Sequence, residues 1–332
     1  MSSVLSGSIA LCALPGAVYA TEMGRAPVQS GTYATLEGGY LFNDSNSITG
    51  HGISTTGLTA GPTVDTVASA RDGWFAGISA GIAAPGSLVD GLPFNRAEAY
   101  FSYRESDDGR ADTVNGPAAT TLKSVDGSAL GVVGNTASTG LHHRASEGGL
   151  RFAYDQTAGD GASLSFVVSP FVRNTRDHAN SVASGTVDTA WRNAEVETWQ
   201  YGVTLAVEPE VWLTQSVALV GRAGGGLYYF DAEGSFQSHS SAPSPDPFAA
   251  ALSDNASGLG FRGTLGVGIK IKLADSMTLT GFAEADYFSK TAGGAMPDNQ
   301  FTSATTSAVA LTDSWELRTG VRLSIGLGSV EQ

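Results

Sequence analysis

Residues 199–207 alternate strictly. Trp199, Tyr201, Val203, Leu205 and Val207 fall on one parity; Gln200, Gly202, Thr204 and Ala206 fall on the other. Successive side chains of a β-strand point to opposite faces, so this segment has one apolar face and one small or polar face. The pattern recurs. Leu259, Phe261, Leu265, Val267, Ile269 and Ile271 alternate with Gly260, Arg262, Thr264, Gly266, Gly268 and Lys270. Trp315, Leu317, Val321, Leu323, Ile325 and Leu327 alternate with Glu316, Arg318, Gly320, Arg322, Ser324 and Gly326. Segments 33–43, 72–83, 94–105, 145–155, 163–174, 217–230 and 277–288 read alike, which makes ten candidate strands.

The charged residues of these segments share the polar face: Glu37, Arg96, Glu98, Arg104, Glu147, Arg151, Arg173, Arg222, Arg262, Lys270, Glu284, Asp286, Glu316, Arg318 and Arg322. A soluble β-sandwich and a transmembrane barrel both permit such alternation. Three features separate them. The segments are about 10–15 residues long, near the length a tilted membrane strand needs and above the usual soluble strand. The connections alternate between long (44–71, 106–144, 175–193, 231–257, 289–312) and short (84–93, 156–162, 208–215, 273–276), as barrels with long external loops and short periplasmic turns do. The apolar-face aromatics Tyr40, Phe42, Trp74, Phe101, Tyr103, Trp199, Tyr201, Tyr229, Tyr287 and Trp315 all fall at the long-loop end, where amphipathic rings would meet lipid headgroups. Phe152 and Tyr154 fall at the other rim. The expected fold is all-β, an antiparallel up-and-down transmembrane barrel of about ten strands over residues 32–328, with extra hairpins possible within 44–71 or 106–144.

Composition agrees. Charged residues make up 15% of the chain, against about 25% in soluble domains, and 43 residues are Gly. The formal net charge of -14 argues against nucleic-acid binding. Residues 4–14 form the apolar core of a signal peptide, and Val18-Tyr19-Ala20 supplies a cleavage site after Ala20. No Lys or Arg precedes that core, which a start site upstream of Met1 would explain. Leu11 spoils a lipoprotein site at Cys12, the chain's one cysteine. Cleavage leaves a mature chain without thiols, and residues 21–31 as a periplasmic tail. No later apolar run is long enough for a membrane helix.

In this pattern the chain resembles bacterial outer-membrane β-barrel proteins of the small, single-chain kind. The resemblance covers residues 32–327. It implies outer-membrane localisation in a Gram-negative cell, contact with outer-membrane lipid and its assembly machinery, and a monomer. The chain departs from the family by ending Ile325-Gly-Leu-Gly-Ser-Val-Glu-Gln332, without the terminal aromatic that the machinery commonly reads.

A ten-stranded barrel is narrow. Its inward charges are expected to pair, Arg96 with Glu98, Glu147 with Arg151, and Glu316 with Arg318 and Arg322, because unpaired confined charge is expensive. Inward Gly224, Gly226, Gly266, Gly268 and Gly320 leave space and keep a pore open as an option. The leading functional expectation is a porin-like narrow channel for small solutes or ions. The alternative is a structural or surface-contact barrel with a plugged lumen. All five histidines, His51, His142, His143, His178 and His239, fall in expected external loops. Adjacent His142 and His143 would point apart on an extended chain, so no metal site is expected, although Asp107 and Asp108 lie within reach. Asp107-Asp108 and Asp177-His178 faintly resemble the rim residues of omptin proteases. That family spaces its Asp and His by two, on one face, whereas these are adjacent and diverge. No enzyme activity and no cofactor is expected.

Overall fold

The computed structural model describes Gly31–Gly328 except residues 46–47, 50–53, 56–70, 114–118, 127–128, 160, 186–188, 242–248 and 297–305; the expected signal peptide and the expected tail up to residue 30 lie outside the described residues, and Gly31 begins the first strand. Ten long strands form one ring: β1 (Gly31–Ser45), β2 (Arg71–Ala83), β3 (Arg96–Thr113), β4 (Ala129–Thr157), β5 (Ala162–Gly185), β6 (Thr189–Trp212), β7 (Val217–Ser240), β8 (Ala249–Ala274), β9 (Met277–Ala295) and β10 (Ala308–Gly328). Each pairs antiparallel with its neighbour in sequence, and β1 pairs with β10 to close the ring. No described helix is long and apolar enough to cross a membrane. Closure leaves no unpaired edge, the condition for strands to cross lipid.

The outward face through the middle of the ring is apolar and bare. Leu36, Ile78, Leu150, Leu205, Leu227, Leu265, Val267 and Val321 are all exposed. Along β8 this face runs from Leu259 to Ile271. At about 3.3 Å per residue and a tilt near 40° that is about 30 Å of height, a bilayer core. The expected girdle stands above it. Tyr40, Phe42, Trp74, Phe101, Trp199, Tyr201, Tyr229 and Trp315 are exposed. Neighbouring rings pair, Trp74 with Tyr103 at 5.4 Å, Tyr287 with Trp315 at 4.8 Å, and Trp199 with Tyr201 at 6.3 Å. At the short-turn rim Phe152 meets Phe94.

The expected long loops need correction. Strands β3–β10 continue past the girdle, so much of 106–144, 175–193, 231–257 and 289–312 is sheet. Ala119–Lys123 forms a hairpin with the start of β4, the extra hairpin expected within 106–144. Ile48–Thr49 pairs with β9 and Ser54–Thr55 with Ala119–Lys123. Polarity inverts at the girdle. Below it β6 turns Val203 and Leu205 outward and Thr204 inward; above it Ala194 and Val196 are buried inside while Glu195 and Glu197 face out. β7 repeats this, with Leu227 and Tyr229 outside below, and Phe236 inside with Glu233 outside above. Lipid demands an apolar exterior, and water a polar one, so one continuous strand carries both patterns in succession.

Candidate functional site

All fifteen inward charges point into the lumen, in two groups. Eight form a buried layer at the girdle level: Arg104, Arg173, Arg262 and Arg318 against Glu147, Glu284, Asp286 and Glu316. The counts of positive and negative groups match. Glu316 on β10 accepts from Arg104 Nη1 of β3 at 2.6 Å and from both terminal nitrogens of Arg173 of β5. Arg262 on β8 donates to Glu147 of β4 at 3.0 Å and to Asp286 at 3.2 Å. Arg318 donates to Glu284, and to Asp286 at 2.9 Å. β5 and β10 are five places apart in a ring of ten, so the Arg173–Glu316 contact spans the lumen at its full width.

The remaining inward charges ring the lower lumen. Arg322 donates to Glu37 at 2.7 Å, Arg151 to Glu98 at 2.8 Å and Lys270 to Glu210 at 2.8 Å. Arg96 binds Asp155, and shares Glu208 with Arg222. The expected pairings therefore need correction. Residues i and i+2 of one strand stack about 6.6 Å apart along it, and the partners come from other strands. Asp155, Glu208 and Glu210 were not expected in the network; Glu208 and Glu210 fell in the expected turn 208–215, whereas β6 continues to Trp212, and Asp155 lies near the end of β4.

Aromatic rings fill the space between charges. Phe75, Tyr228, Phe230 and Phe288 are fully buried inside, with Phe171 beside them. The Arg173 guanidinium lies 4.3 Å from the Phe288 ring centre, and Arg262 lies 5.2 Å from that of Phe171. Of the five glycines expected to leave space, Gly320 lies against an inward ring and Gly266 lines the cavity described below, while Gly202 and Gly260 also lie against rings. A Cβ at Gly260 would come within 2.4 Å of the Tyr228 ring, one at Gly202 within 2.7 Å of Phe171, and one at Gly320 within 2.9 Å of Phe75. Runs such as Trp74-Phe75, Tyr228-Tyr229-Phe230 and Tyr287-Phe288 were the available signal: adjacent strand residues diverge, so at least one aromatic of each run must enter the lumen.

A second buried cluster lies toward the outer mouth. The turn after Lys123 buries Val125 among Leu141, Val196, Phe236 and Met296. Ser124 and Ser238 hydroxyls bond at 2.7 Å, and Ser307 N–H donates to Val125 O at 2.8 Å. Below the charged layer lies a cavity of roughly 630 Å³, roofed by Arg104, Glu147 and Arg318 and reaching turn residues Gly161, Gln215 and Ser276 at the short-turn rim.

The histidines require a further correction. His142 and His143 lie on β4, His178 on β5 and His239 on β7, on strands and not in loops; His51 and the side chain of Asp108 lie outside the described residues. His142 and His143 diverge as expected. His143 is buried in the lumen with Nδ1 2.7 Å from Asp177 Oδ1, whereas His142 faces out between Glu105 and Asp107. Asp177 and His178 diverge likewise, so no omptin-like pair forms from them.

No family model and no curated protein matches the chain. Among solved structures, the chain is similar to the outer membrane protease OmpT from Escherichia coli, with 10% identity over 90% of this chain and 97% of that one and a TM-score of 0.44. It is also similar to a Pseudomonas aeruginosa FadL homologue (8% identity, 90% and 91% covered, TM-score 0.26) and to the transport unit of the autotransporter AIDA-I from Escherichia coli (7%, 92% and 93%, TM-score 0.30). These likenesses are too slight to carry activity or substrate. A closed antiparallel ring with an apolar outer face rimmed by aromatics is the architecture of outer-membrane barrels, and the fold of this chain is a transmembrane β-barrel.

Proposed function

We propose that this protein is a non-conducting outer-membrane barrel that acts as a surface-contact protein, of adhesin or receptor-like kind, through the strands it carries beyond the membrane. The observation behind this reading is the Arg173–Glu316 contact across the lumen, embedded in a charge-balanced layer packed with aromatic rings. A solvated ion crossing that layer must separate buried pairs, each costly to break. Function then moves to the outer surface, as it does in scaffolds that present ordered segments to solvent. In this reading the barrel is a monomer, engages lipid and the assembly machinery, and has neither enzyme activity nor cofactor.

Single-channel recording of the refolded protein in a planar bilayer tests it. Inserted protein should stay electrically silent. Steady, reproducible openings, with ion selectivity altered by charge reversal at Arg222 or Arg262, would refute the closed lumen. The cavity beneath the layer favours that second reading, a narrow channel in which it serves as the periplasmic vestibule. Attachment of cells with and without the protein to one another and to solid surfaces measures the contact role directly. Equal attachment would count against it.

A further inference from the structure

The outward face of β3–β6 changes character just above the girdle. Strand register places Tyr103, Ser146, Asn174 and Trp199 in one row. The next row outward is Glu105, Arg144, Arg176 and Glu197, and the one beyond is Asp107, His142, His178 and Glu195. In the first charged row the end acids hold the arginines, Arg144 donating to Glu105 at 3.2 Å and Arg176 to Glu197 at 3.1 Å. The second row sets two imidazoles side by side between two carboxylates, with no Lys or Arg in the row.

His142 is gripped from both sides. Its Nδ1 contacts Asp107 Oδ1, and its Nε2, a buried atom with no hydrogen-bond partner, lies 3.3 Å from Glu105 Oε1. A neutral imidazole has one proton for two nitrogens. In that form one of the two contacts sets a lone pair against an anionic oxygen, which either a second ring proton or a bound cation relieves. Glu105, Asp107 and His142 can each present one ligand atom, all within 4.8 Å of one another. His178 stands directly opposite His142 on β5, and such cross-strand neighbours have Cβ atoms about 4.5–5.5 Å apart.

The geometry points to a divalent transition-metal site on the outer wall of the barrel, at the headgroup level, with Glu105, Asp107 and His142 as ligands and His178 as the adjoining donor. Mixed imidazole and carboxylate ligation selects a Zn²⁺-type ion over Mg²⁺ or Ca²⁺, which prefer oxygen alone. Glu105 also accepts from Arg144 and, at 3.4 Å, from Tyr103. The Arg144 side chain is more than half exposed, so exchanging its ion pair for a metal bond costs little. A bound ion would tie β3 to β4 where the barrel leaves the bilayer, and would offset the excess of acid in the two rows.

The test is titration of the refolded full-length barrel in detergent with Co²⁺, read by its visible absorption, followed by displacement with Zn²⁺. A saturable band is expected that Zn²⁺ abolishes and excess Ca²⁺ leaves intact. Both His142→Ala and His142→Gln should weaken Co²⁺ binding by at least about tenfold while the circular dichroism of the sheet is unchanged. Three results would overturn the assignment: no saturable band, a band that survives in both folded variants, or displacement by Ca²⁺.

Discussion

Replacing Glu316 by Gln tests whether the charged layer is a dry, load-sharing plug. Glu316 is 2% exposed and receives hydrogen bonds from Arg104 and Arg173, themselves 2% and 3% exposed. The layer holds four positive and four negative groups, so the substitution leaves one excess buried positive charge, with Arg104 and Arg173 left to share Glu147, which already pairs with Arg262. Gln keeps the volume but turns an amide donor toward guanidinium donors. Removing one partner of a buried pair costs about 3–5 kcal/mol. At 1.4 kcal/mol per tenfold, that shifts the unfolding equilibrium by roughly 10²–10⁴. Urea unfolding of the barrel in lipid vesicles, followed by tryptophan fluorescence, should show a lower midpoint at unchanged slope. The double variant Arg173→Met with Glu316→Leu should recover most of the loss, because an apolar pair of similar volume needs no counter-charge. A Glu316→Gln midpoint equal to the parent's would mean that water already solvates the layer. The plug argument would then fail.

Three further outcomes follow from the same structure. Gly260→Val should destabilise the barrel by about 1–3 kcal/mol in the same urea assay, because its Cβ meets the Tyr228 ring; Tyr228→Ala in the same chain should relieve the clash but not the lost packing. Leu265→Arg, on the outward face at mid-height of β8, should cost about 2–4 kcal/mol in lipid, and Leu259→Arg at the girdle end far less; equal costs would misplace the bilayer. Above the membrane, burial raises the Glu197 carboxyl, but hydrogen bonds from Asn174 and Arg176 outweigh it and hold its pKa below the ordinary value. The stability this contributes is present above the unfolded-state pKa and fades as pH falls through the lower folded value. NMR titration should therefore find the Glu197 midpoint below that of an ordinary glutamate, and Arg176→Ala should raise it.

Much of the molecule was legible in the chain because period-two alternation admits few solutions. Leu265, Val267 and Ile269 on one parity against Thr264, Gly266 and Gly268 on the other fix which face meets lipid, and the placement of Trp74, Trp199 and Trp315 fixes which end is the outer rim. The strand extensions were not legible. Beyond Trp199 and Tyr229 water replaces lipid and the apolar residues change parity, so a search for one constant greasy face stops at the girdle. The charged layer was hidden for a different reason. Alternation tells that Arg173 and Glu316 point inward, but not that they meet. Residues 143 positions apart become neighbours only when strand number and tilt set the lumen's width, and only there do the rings of Phe171 and Tyr228 find the glycines they cover. Facing is a property of each strand by itself, whereas contact across the lumen exists only in the closed ring.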